Sequence, residues 1–124
     1  VFLKERGMRV VLSLSLALIA AGAQAGDARS SEEERQFGIE VARRGLWQEA
    51  RFRFERAVAL DPENAAAFNN LGVALEQMGE FERAREAYEK ALKLDSGNLY
   101  IQQNYDLFRE ADEKRNRKSR RRQQ

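Results

Sequence analysis

A shift of 34 residues lays residues 31–64 over residues 65–98, and no other feature of the chain restricts its fold so sharply. Nine positions are then identical: Gly38/Gly72, Gly45/Gly79, Ala50/Ala84, Arg51/Arg85, Glu55/Glu89, Ala57/Ala91, Leu60/Leu94, Asp61/Asp95 and Asn64/Asn98. Others keep their character, as in Phe37/Leu71, Ile39/Val73, Val41/Leu75, Trp47/Phe81 and Phe54/Tyr88. A period of about 34 is the length of a two-helix repeat. The expected fold class is therefore all-α, built of antiparallel helix hairpins.

Each unit divides at its second glycine. Ser31 and Glu34 have the spacing of a capping box, so a first helix starts there and runs to Gly45, which permits the left-handed turn that ends it. A second helix follows over residues 47–60, with apolar or small side chains at helical spacing and a stop at Asp61 and Pro62. The second unit repeats the plan around Gly79. Asn98 then caps a last helix with Ile101, Tyr105 and Phe108 on one side.

These residues resemble the tetratricopeptide repeat. Counted from Ser31 and Ala65, the family's glycine at the eighth position is Gly38 and Gly72, and its small residue at the twentieth is Ala50 and Ala84. Its aromatic at the twenty-fourth is Phe54 and Tyr88, its alanine at the twenty-seventh Ala57 and Ala91, and its proline at the thirty-second Pro62. The organisation that follows is two repeats, 31–64 and 65–98, a capping helix over 99–113 and a basic disordered tail over 114–124. Glu34 stands where the family prefers a large aromatic, which suggests an exposed N-terminal edge.

The small residues have a physical reason apart from the family. Antiparallel helices approach closely only where side chains are small, so Gly38 and Ala50 set the approach within a repeat and Ala57 the approach to the next. Phe54 and Tyr88 fill the space beyond. A stack of this kind needs about three units for stability, and two repeats with a cap sit at that margin. A homo-oligomer or a stabilising partner is left open.

In a stack of hairpins the first helices line the concave side. The resemblance implies a protein or peptide partner there, contacted by Arg35, Ile39, Ala42 and Arg43 in one repeat and by Asn69, Val73, Glu76 and Gln77 in the next. Arginine and asparagine would hold the partner's carboxylates and carbonyls, over an apolar floor of Ile39 and Val73. Some members of the family grip a C-terminal carboxylate with a clamp of basic residues and asparagines. Arg35 and Asn70 fall at two clamp positions, but Ile39, Tyr100 and Asn104 occupy others, so a complete clamp is not expected. Phe52 misses the apolar stripe of its helix, and either burial against the N-terminal segment or an intermolecular contact accounts for it.

Charge is segregated along the chain. Residues 114–124 hold seven basic side chains and no acid: Lys114, Arg115, Arg117, Lys118, Arg120, Arg121 and Arg122. Residues 26–113 carry 12 basic against 19 acidic residues. The tail could neutralise a polyanion. It lacks the interleaved aromatics that stack on bases, so an anionic envelope polymer, a membrane surface or an acidic protein fits an exported chain better than nucleic acid does.

Export is the expectation for the first segment. Lys4, Arg6 and Arg9 precede an apolar run over residues 10–21, and Ala23, Gln24 and Ala25 supply a small-residue cleavage site. Residues 1–25 thus read as a signal peptide cut after Ala25, with 26–30 as a linker and the periplasm as destination. Met8, Arg9 and the apolar run would make a complete signal by themselves. With no cysteine and no histidine, thiolate and imidazole chemistry and the usual zinc ligands are excluded. No phosphate loop, nucleophile motif, cofactor motif or metal motif is present, and a non-catalytic adaptor is the expected function.

Overall fold

The computed structural model describes residues 29–124, so the expected signal peptide and most of the expected linker lie outside the described residues. Five helices make up the described part: α1 Ser31–Arg43, α2 Trp47–Leu60, α3 Ala65–Gln77, α4 Phe81–Leu94 and α5 Leu99–Gln123. Helices α1 and α2 form one antiparallel hairpin and α3 and α4 a second. The first helix of each pair contacts the next along the stack, with α3 touching both α1 and α5.

Local chemistry sets the boundaries. Gly45 and Gly79 have φ of 75° and 76°, a region costly for any residue with a Cβ. The amides around each fold back on the helix end, Gly45 to Ala42 and Leu46 to Val41, then Gly79 to Glu76 and Glu80 to Leu75. Asn64 and Asn98 accept amide hydrogen bonds at the starts of α3 and α5.

The capping box of α1 lies one residue earlier than the sequence suggests, on Ser30 and Glu33. Two overlapping frames were available, and tertiary contacts select this one. Ser31 is thereby freed to donate to the Ala57 carbonyl at 2.7 Å and accept from Asn64 at 2.9 Å, tying α1 to the end of its repeat.

The expected close approach is present. Ala50, Ala57, Ala84 and Ala91 are completely buried. A Cβ added at Gly38 would lie 2.7 Å from Phe54 Cδ1, and one at Gly72 would lie 2.9 Å from Tyr88 Cδ1. Both rings are themselves buried, and Tyr88 continues into a cluster with Tyr105 and Phe108 at centroid distances of 6.3 and 5.3 Å. The third place in this register belongs to Asp106, where a carboxylate replaces the glycine. A following ring has no glycine to pack against there.

Glu34 corrects the expectation of an exposed edge. It is only 1% exposed and accepts from Arg53 at 3.3 Å and Arg56 at 3.0 Å. The same Arg53 guanidinium lies 4.4 Å from the centroid of Phe37, with Arg29 at 4.9 Å. An ionic cluster thus covers the edge, whereas in the second repeat Phe68 takes the place of Glu34 and Lys90 the place of Arg56. Phe52 remains 47% exposed beneath Arg53 and Arg56. Its expected burial against the N-terminal segment concerns residues outside those described.

The expected disordered tail is instead helix, because α5 continues to Gln123. Arginine, lysine and glutamine are good helix formers, and positive charge at a helix C-terminus complements the helix dipole. Tertiary contacts hold the start of this extension. Asp112, 5% exposed, pairs with Arg85 of α4 and with Arg115, and the Arg115 guanidinium sits 3.6 Å from the Phe81 ring centroid.

Two stability measurements check this packing. Gly38→Ala and Ala50→Leu should each lower unfolding free energy by about 1–3 kcal/mol through overpacking, while Gly97→Ala, with open space around it, should match the wild type in thermal denaturation. The Arg53→Ala/Arg56→Ala double variant strands the Glu34 carboxylate and should cost roughly 3–5 kcal/mol, whereas Glu34→Leu leaves two guanidinia that can turn to water and should cost less.

Candidate functional site

The concave side opens into a pocket of about 230 Å³ lined by Ile39, Ala42, Arg43, Trp47, Phe54, Asn70, Val73 and Tyr100. Helices α1, α2, α3 and α5 supply these residues. Ile39 and Val73 occupy the same place in successive repeats, so the stack itself lines them up. Tyr100 is 64% exposed and forms an aromatic wall on α5.

Five of the residues expected to meet a partner, Ile39, Ala42, Arg43, Asn70 and Val73, come together here. The polar groups among them differ in availability. Arg43 is exposed and pairs with Glu40 at 2.9 Å, an i,i+3 pair that water can replace at little cost. Asn70 accepts a long hydrogen bond of 3.5 Å from Asn69, and its own Nδ2 is buried without a partner. A buried amide donor left unpaired costs on the order of 1–3 kcal/mol.

The other four are committed elsewhere or lie outside the pocket. Arg35 donates to Glu32 at 2.8 Å, and hydrogen bonds from Arg35 and then Gln36 hold the Glu32 carboxyl down to about 2 against an ordinary 4.5. Asn69 is 1% exposed because α5 covers that side of α3, and it accepts from Asn104 at 3.1 Å. Glu76 accepts the Tyr88 hydroxyl at 3.0 Å, and burial together with this carboxylate pushes the Tyr88 phenol above the ordinary tyrosine range. Gln77 is exposed but does not line the pocket.

Sequence reasoning missed Trp47, Phe54 and Tyr100 as pocket residues. Trp47 and Phe54 carry the spacing of a core stripe, and nothing in that spacing shows that either borders a pocket. Tyr100 could have been found by extending the second position of each repeat into α5.

Among the basic residues of the extension, Arg115 is set apart by its work between Asp112 and Phe81. Lys114, Arg117, Lys118, Arg120, Arg121 and Arg122 are exposed.

The geometry defines a class first: a short stack of helix hairpins with an apolar trough and a hydrogen-bonding amide on its concave side. The model of the tetratricopeptide repeat family matches residues 35–98, and the chain belongs to that family. Two solved structures of MamA are 31% identical to it, with TM-scores of 0.62 and 0.65, covering 67% and 73% of this chain. The chain spans about half the length of those proteins, 48% and 50%. The TPR domain of Sgt2 from Aspergillus fumigatus, at 22% identity and a TM-score of 0.69, covers 88% of this chain and 73% of its own and shares the fold. So does the second TPR domain of human RPAP3, solved with an HSP70 peptide, at 21% identity and a TM-score of 0.64 over 68% of this chain and 71% of its own. No curated protein matches.

The Glu32 pairing has a pH signature. Its folded pKa is depressed, so the stabilisation it adds is complete above about pH 4.5 and disappears as pH falls towards 2. The stability difference between wild type and Glu32→Gln, followed by denaturant melts, should therefore shrink across that window and stay constant from pH 5 to 7.

Proposed function

We propose that the chain is a non-catalytic interaction adaptor of the bacterial cell envelope that holds a segment of a partner protein in its concave trough. One observation carries the trough reading: Ile39, Val73 and Tyr100 line a largely apolar pocket on the concave side, with the exposed Arg43 guanidinium at its edge. Ile39, Val73 and Tyr100 offer area to apolar side chains, while Arg43 offers donors to a backbone carbonyl, the combination that peptide recognition requires. A domain of the same fold, the second TPR domain of human RPAP3, was solved in complex with an HSP70 peptide, which supports a peptide-binding reading.

Full clamping of a terminal carboxylate does not fit these residues. Arg35 is engaged by Glu32, Ile39 supplies no hydrogen bond, and Asn104 is occupied with Asn69. The trough favours internal segments with apolar side chains. The envelope setting is supported by the N-terminal pattern alone, a basic start, an apolar run and Ala23 to Ala25.

Val73→Glu places a charge on the trough floor at a partly exposed site. It should keep the wild-type helical signal and melting cooperativity yet lose the proteins that the wild-type chain captures from its native envelope. Equal capture by the two would remove the trough from the reading. A mature chain that does not begin near Gly26 would remove the export step.

A further inference from the structure

The face of α5 that walls the trough does not end with the trough. At about 100° per residue, Tyr100, Leu107, Ala111, Lys114, Lys118 and Arg121 fall within a stripe roughly 80° wide, away from the buried Ile101, Phe108 and Asp112 and the partly buried Tyr105. Tyr100 closes the pocket. Leu107, 59% exposed, repeats the register of Ile39 and Val73, and it shares a shallow depression with Ala111, Lys114 and Arg117, together with Glu110 and Glu113. Apolar surface thus passes into basic surface along one helix face.

Two further features make this face a single binding element. The extension has a fixed root, because Arg85, Asp112, Arg115 and Phe81 anchor its first turn to α4. Its stripe bases have no salt-bridge partner among the described residues, unlike Arg35, Arg43, Arg51, Arg53, Arg56, Arg83 and Arg85.

We propose that trough and extension together bind an extended segment of another protein, with an apolar anchor in the Ile39, Val73 and Tyr100 pocket and an acidic run on Lys114, Lys118 and Arg121. This rests on the trough reading and names the partner's chemistry. Tyr100 and Lys114 are separated by about 21 Å along the helix and Tyr100 and Arg121 by about 31 Å. An extended strand covers about 3.3 Å per residue, so the acids lie about six to ten positions from the anchor. A nucleic acid would use the bases but would bury no apolar group on Leu107 or Val73, and a flat lipid surface would not enter the pocket.

The test selects peptides of about sixteen residues from a random displayed library on the full chain, then measures the selected peptides by fluorescence anisotropy. The spacing follows from the extended-chain rise. The expected motif is an apolar residue followed or preceded at that spacing by Asp or Glu. Lys114→Glu/Lys118→Glu/Arg121→Glu should weaken it at least about tenfold and flatten its salt dependence while leaving the melting curve intact. Apolar peptides without acid enrichment, or equal binding by the triple variant, would overturn the acidic-run assignment and leave the trough standing. Failure to enrich anything over the Val73→Glu variant would overturn both. A short DNA duplex or phosphatidylglycerol vesicles that bind through the same three bases and are not displaced by the selected peptide would also overturn it.

Discussion

Everything in this molecule depends on an aromatic ring packed against a helix backbone where a glycine leaves room. Phe54 meets Gly38 and Tyr88 meets Gly72, each closer than a methyl group would allow. The contact fixes how near the two helices of a hairpin stand. It also fixes their rotation, because only one face of each helix carries the glycine or the ring. Once that rotation is set, Ala57 and Ala91 face the next unit, and Ile39 and Val73 face the trough. The trough is a by-product of the packing rather than a separate construction.

The charged residues add a second layer of order between units. The identical Arg51 and Arg85 do equivalent work: Arg51 reaches Glu80 at 2.8 Å, just past the end of α3, and Arg85 reaches Asp112 on the far part of α5. Each ties the second helix of a hairpin to the next unit, Arg51 just beyond α3 and Arg85 within α5. Their partial burial makes these pairs stronger than the i,i+3 pairs on the outer surface, where water competes.

This division explains what could be read in advance. Gly38, Ala50, Ala57 and the aromatic positions were legible because packing demands size, and size is written directly in residue identity. Gly45 and Gly79 were legible because left-handed turns demand glycine. Glu34, Asn69 and Glu76 were misplaced because a polar residue can face water or a buried partner, and only the partner decides. Arg53 and Arg56 lie 19 and 22 residues from Glu34, and Asn104 lies 35 residues from Asn69, so no local pattern announces either pairing. The helical tail was missed for a related reason: its residues form helix readily, but the latch at Asp112 that roots it is again a long-range pair.

The two ends of the stack are finished in different materials, guanidinium groups over Phe37 and Glu34 at one end and Asp106 in place of glycine at the other. Among the described residues the trough has three rungs, one each from α1, α3 and α5, and its two ends are chemically unlike. A ligand of the kind proposed would therefore meet a different surface at each end and could lie in only one direction.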